Sequence, residues 1–168
     1  MEFQDLIRRR YSVRAYSSEP VAEESLARIL EAARLAPTAA NRQPVRVVVL
    51  RSERHLDALA RVYARHWIRE APYVICVLGV PGEAWVRKDG RSHLDIDAAI
   101  VMDHLVLAAT DEGLGTCWIA NFDLAAAREA FQARPDEVPL LLTTLGHAAD
   151  RPGPKERRPL SALVRRID

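Results

Sequence analysis

Hydrophobic positions change their period several times along the chain, and each change marks an element. Phe3, Leu6 and Ile7 share one helical face, predicting a short helix over Phe3 to Arg9 that exits into the basic run Arg8-Arg9-Arg10. Leu26, Ile29, Leu30 and Ala33 repeat at helical spacing after Pro20. That helix must stop before Pro37, because a residue preceding proline is pushed out of the α region. Val45 to Leu50 is apolar and largely β-branched apart from Arg46, which predicts a strand. Leu56, Leu59, Ala60 and Tyr63 mark a second amphipathic helix. Tyr73 to Val80 is unbroken apolar sequence between Pro72 and Pro81, the signature of a buried strand.

Pro81 to Ser92 is a polar loop carrying Trp85 and the turn Arg87-Lys88-Asp89-Gly90. From Ala98 to Ala109, 10 of 12 residues are apolar, so this helix is expected to be buried on several sides. A domain of this size has a radius of about 15 Å, which leaves little room for such a helix at its centre. Either two layers of its own chain cover it, or a second subunit buries part of it, around Ile100, Val101, Leu105 and Val106. Gly113 and Gly115 end the helix, and Thr116 to Ala120 reads as a strand. Leu124 to Phe131 is a short helix with Asp123 as N-cap. Leu140 to Leu145 is the last strand, closed by Gly146, and the proline-rich basic tail from Pro152 to Pro159 reads as extended.

Length and composition narrow the class. The 168 residues, 49% hydrophobic and 28% charged, suit one globular domain spanning 1–168. A net charge of +1 argues against a dedicated nucleic-acid binder. No apolar run approaches the roughly 20 residues of a membrane span, and the acidic start lacks a signal-peptide pattern. The expectation is a soluble, cytoplasmic protein without nucleic-acid or membrane partners. Cys76 and Cys117 are too few for a disulfide framework or a zinc site and fall in expected strands, where they read as small core side chains. No metal site is expected.

The common catalytic constellations are missing from the sequence. There is no GxSxG elbow, no GxxxxGK[ST] loop and no HExxH pair, and Gly113-Leu114-Gly115 lacks the third glycine of a dinucleotide fingerprint. Three patches remain. Arg8, Arg9, Arg10, Ser12 and Arg14 form either a solvated helix end or an anion site, since guanidinium forks and a hydroxyl match a phosphate. Pro37-Thr38-Ala39-Ala40-Asn41-Arg42-Gln43-Pro44 places two amide side chains in one loop, as turn caps or as donors and acceptors for a heterocycle's edge. Lys155-Glu156-Arg157-Arg158 is a basic tail far away in sequence.

In this order the patches resemble the nitroreductase family. Arg10-Tyr11-Ser12-Val13-Arg14-Ala15-Tyr16 is similar to its R-x-S-x-R-x-aromatic opening, and Pro37 to Pro44 to P-S-x-x-N-x-Q-P-W, with Val45 in place of the Trp. Gly113 to Asp123 resembles G-L-G-(S/T)-x-W-I-x-x-F-D, and Gly146 with Lys155-x-Arg157 resembles the phosphate-contacting tail. The resemblance implies an α+β fold, a three-layer α/β/α sandwich with a mixed, largely antiparallel sheet. Alternating strands and helices alone would suggest a parallel one. It further implies FMN in a cleft between the subunits of a homodimer, with the helix from Asp97 to Glu112 at the interface. Arg10 and Ser12 would hold the phosphate with Lys155 and Arg157, Tyr11 acting mainly through its backbone and Arg14 lying near N1/O2 of the ring. Pro37, Thr38 and Ala39 would line the ring, Asn41 and Gln43 its polar edge, and the backbone of Ala120 and Asn121 the N5 side. The implied activity is that of an FMN-dependent oxidoreductase, passing a hydride from NAD(P)H to a small acceptor such as a nitroaromatic or quinone by a ping-pong mechanism. The flavin supplies the chemistry, so no catalytic side chain is expected. Dehalogenase, flavin-fragmenting or non-catalytic flavin-binding relatives are the alternatives.

Overall fold

A computed structural model describes residues 1–167. Four strands, β1 (Val45–Arg51), β2 (Tyr73–Gly79), β3 (Gly115–Ile119) and β4 (Val138–Gly146), form one sheet in the order β1-β2-β4-β3. All three strand pairings are antiparallel. The parallel contribution is a single bridge from Ser12 to Thr116 on edge strand β3. Sheet direction therefore follows the family resemblance, because hydrophobic periodicity does not report strand polarity.

Side chains of a strand point alternately to its two faces, and two cores follow from that rule. On one face Val74, Cys76, Leu78, Cys117, Ile119 and Leu142 pack with α3 (Leu56–Val62) and α5 (Leu124–Ala130). On the other, Tyr73, Ile75, Val77 and Leu145 pack with α2 (Glu23–Leu35) and α4 (Leu94–Asp111). The central strand β2 is buried along its whole length, as its unbroken apolar sequence requires. α2 stops as expected, with Ala36 extended (ψ 135°) ahead of Pro37. The Asp123 carboxylate caps α5 by accepting the Ala126 amide at 2.8 Å. The remaining helices are α1 (Phe3–Arg9) and the four-residue α6 (Leu160–Leu163), a turn within a tail otherwise extended as expected.

α4 corrects part of the sequence reading. Val101, Leu105 and Val106 are buried by the chain's own layers, so they are not interface residues. The face left open carries Asp95, Ile96, Ala99, Ile100, Asp103 and His104, and with Trp118 it borders a shallow apolar hollow. The apolar face of α1 is likewise uncovered, with Phe3 61% exposed.

Candidate functional site

The two ends of the chain meet along β3. The Val13 amide donates to the Thr116 carbonyl at 2.9 Å, laying residues 10–14 against the edge strand. Gly115 permits this approach, since a Cβ there would come within 2.6 Å of the Val13 side chain. The returning tail pairs with the same segment, the Ala149 amide donating to the Ala15 carbonyl at 2.8 Å. Asp150 then accepts the Arg14 amide at 2.8 Å and the Tyr11 hydroxyl at 3.1 Å. Lys155 closes the contact by donating to the Ile7, Arg8 and Arg10 carbonyls at 2.9, 2.7 and 2.7 Å, capping the C-terminus of α1.

Between these segments lies a cavity of about 370 Å³ bordered by Arg10, Ser12, Arg14, Arg151, Lys155 and Arg157, with Asp150 and Glu156 as its acids. Five cations against two carboxylates give it a net positive lining, chemically suited to an anion. Burial, then the neighbouring Arg10 and Arg157 charges, push the Lys155 ammonium below its ordinary pKa. The guanidiniums are lightly committed. Arg10 reaches the Ser12 hydroxyl and Arg14 the Ser12 carbonyl, each at 3.4 Å, while Arg157 donates to the Glu156 carbonyl at 2.6 Å. Each guanidinium has five N–H donors, so most remain available.

The amide-bearing loop sits elsewhere. It leads into β1, at the opposite edge of the sheet from β3. Three strand spacings of about 4.8 Å separate those edges by about 14 Å. Ala40, Asn41 and Gln43 all have left-handed backbone, with φ of 51°, 53° and 52°. The Thr38 hydroxyl accepts the Gln43 amide at 2.9 Å, and the Gln43 side chain donates to the Asn41 side chain at 3.2 Å. Thr38 and Gln43 border a second hollow with Val45, Val47 and Val101. Pro37, Ala39 and Asn41 lie on the same loop outside that lining, and Ala120 and Asn121 are exposed just beyond the end of β3. The chain therefore gathers Arg10, Tyr11, Ser12, Arg14, Lys155 and Arg157 around one cavity, but presents the amide-bearing loop on another side.

Residues 7–72 and 59–147 match the model of the nitroreductase family. The chain belongs to the nitroreductase family. A nitroreductase family protein from Clostridium difficile 630 is 35% identical, with a TM-score of 0.89 over 98% of each chain. A nitroreductase-type protein in complex with FMN from Desulfovibrio desulfuricans is 28% identical, with a TM-score of 0.84 over 100% of this chain and 98% of that one. The FMN reductase [NAD(P)H] of Bacillus subtilis is 27% identical over 90% of this chain and 68% of its own length.

In this nitroreductase-family chain, the tail and residues 10–14 also bond directly to each other. The Tyr11 side chain, rather than its backbone alone, bonds to Asp150, and burial with that neighbouring carboxylate pushes its phenol above the ordinary pKa. All three donors of the Lys155 ammonium are taken by carbonyls, so it lends the cavity positive charge while fastening the tail. Asp150, and Asp97, whose Oδ1 accepts the Ala39 amide at 2.8 Å, escaped the sequence reading. Asp150 follows Gly146 at a spacing that only the return of the tail makes meaningful, and Asp97 looks like an ordinary acid in the first turn of a helix. Cys117 borders the cationic segment, but burial pushes its thiol up despite the opposing influence of Arg14, Ser12 and Arg10. Among the described residues there is no cluster of three or more metal-ligating side chains, and no helix is long and apolar enough to cross a membrane.

Proposed function

We propose that this chain is an FMN-dependent NAD(P)H oxidoreductase whose flavin sites form between two copies. The observation that carries the reading is the cationic cavity built jointly by residues 10–14 and the tail. Its cations suit a terminal phosphate with nearly two negative charges, which favours FMN over a dinucleotide. Arg10, Ser12 and Arg157 hold that phosphate, Lys155 adds charge, and Arg14 reaches the N1/O2 side of the ring. Pro37, Thr38 and Ala39 line the ring, Asn41 and Gln43 meet its polar edge, and the backbone of Ala120 and Asn121 serves the N5 side. When bound, the flavin supplies the hydride chemistry linking NAD(P)H to a small acceptor such as a nitroaromatic or quinone, in ping-pong order.

The homodimer is supported by three uncovered features. The ring loop lies at the far sheet edge from the cavity, and the outward face of α4 presents Ile96, Ala99 and Ile100 beside Trp118, flanked by Asp95, Asp103 and His104. In the tail, Leu160 and Leu163 are 72% and 82% exposed, uncovered by any of the described residues. A partner placed against α4 brings a second copy of each part.

Titration of the flavin-free protein with FMN and with riboflavin tests the phosphate assignment. Each charge-assisted hydrogen bond contributes about 1.5–3 kcal/mol, so two of them should favour FMN by a hundredfold or more. Replacing Arg10 and Arg157 together by Ala should remove most of that preference, leaving what Ser12 and Lys155 still supply. Equal affinities in the unaltered protein would overturn the assignment.

A further inference from the structure

Asp97, in the first turn of α4, is 1% exposed. Its Oδ1 accepts the Ala39 amide at 2.8 Å, while Oδ2 is buried with no partner. Burying a carboxylate on one hydrogen bond is unfavourable for stability, because desolvation is only partly repaid. The residue makes sense through what it grips. Left-handed backbone is unfavourable wherever a Cβ is present, and Ala40, Asn41 and Gln43 adopt it within four positions. Such a run persists only where its surroundings over-determine it. Among the described residues, two side chains from outside the loop hold its backbone: half-buried Arg46 at the Gln43 carbonyl, and buried Asp97 at the Ala39 amide.

We infer that Asp97 is a positioning residue: its buried carboxylate pins the Ala39 amide and thereby holds the strained loop in the form that aims Asn41 and Gln43 at the ring edge of the bound ligand. The inference rests on the reading that this loop borders flavin. Asp97 touches the loop and not the ligand, so its effect travels through one backbone donor. That donor can be removed independently. Thr38 is extended (φ −132°, ψ 157°), as a residue before proline must be, and Ala39 opens the turn where a missing N–H is tolerated. Ala39→Pro therefore deletes the donor and Asp97→Ala the acceptor.

The experiment compares Asp97→Ala, Asp97→Asn, Ala39→Pro and the Asp97→Ala/Ala39→Pro double variant. The readouts are amide hydrogen exchange at Asn41 and Arg42 in flavin-free protein, and affinities for FMN and riboflavin. The two single deletions should speed exchange in the loop and weaken both flavins by about the same factor, tenfold or more, since the ring edge is common to both ligands. Asp97→Asn keeps an acceptor at Oδ1 and should recover most of the loss. The double variant should be no worse than either single one. Additive losses, or unchanged loop exchange in Asp97→Ala, would overturn the inference. Faster loop exchange with both affinities intact would uphold the pin and overturn the flavin assignment of the loop. Should Asp97→Ala fail to fold, Ala39→Pro against Asp97→Asn makes the same comparison, and normal loop exchange in Ala39→Pro counts against the pin.

Discussion

Lys155 and Arg157 sit two residues apart in the tail, yet their contacts differ, and separate replacements should show whether their roles do. Lys155 donates to three backbone carbonyls where α1 ends, whereas the Arg157 guanidinium is held by a single neighbouring carbonyl. A cation at an exposed helix C-terminus contributes about 0.3–1 kcal/mol, so Lys155→Ala should lower the melting temperature by no more than about 4 °C. Its larger effect is local. Without the cap, residues 152–163 should become sensitive to limited proteolysis even in flavin-free protein. Arg157→Ala should leave the tail protected, but remove a charge-assisted bond of about 1.5–3 kcal/mol and weaken FMN by about 10- to 150-fold. Its remaining FMN affinity should also depend less on salt. The control is Arg87→Ala with Lys88→Ala, because Arg87 is paired with Asp89 in a surface turn. Titrations by flavin fluorescence, alongside digestion time courses, decide the matter. Unchanged tail protection in Lys155→Ala together with unchanged FMN affinity in Arg157→Ala would refute the division of labour.

Arg14→Leu should lower the two-electron midpoint of bound flavin by about 30 mV if it removes about 1.4 kcal/mol of preference for the anionic reduced ring. A dye-coupled redox titration in which the midpoint stays put while FMN affinity collapses would make Arg14 a phosphate ligand instead. Arg28 grips Glu112 with two hydrogen bonds of 2.6 Å, joining α2 to the end of α4 and holding the Glu112 pKa down to about 2. A depressed carboxyl stabilises the fold above its unfolded pKa and loses that contribution as pH falls toward the folded one. The melting-temperature gap between the unaltered protein and Glu112→Gln should thus be constant above about pH 5 and close toward pH 2; a gap that widens on acidification would contradict the assignment. Ile96→Lys with Ile100→Lys places charge on the open face of α4 and should shift sedimentation from dimer to monomer, with loss of bound FMN; a dimer that survives both changes would move the interface elsewhere.

Local patterning carried most of the elements. The break before Pro37, the Asp123 cap and the wholly buried β2 follow from residue types and spacing alone. Strand direction did not, since apolar alternation is the same in parallel and antiparallel pairs. For α4, its apolarity announced burial without saying by what, and the chain itself covers Val101, Leu105 and Val106. The cationic residues of the site were legible as motifs because each patch is compact in sequence. Asp150 and Asp97 were not, because their meaning lies in backbone amides far away, Arg14 for one and Ala39 for the other. A lone acid gives no sign of the amide it will accept.

The most direct test of the account is anaerobic stopped-flow mixing of the FMN-loaded protein with NADH and with NADPH, following the flavin's visible absorbance. The expected result is one FMN retained per protomer and rapid bleaching by at least one of the two nicotinamides, with colour restored on adding a quinone or nitroaromatic. Failure to retain FMN, or a bound flavin that neither nicotinamide reduces, would contradict it.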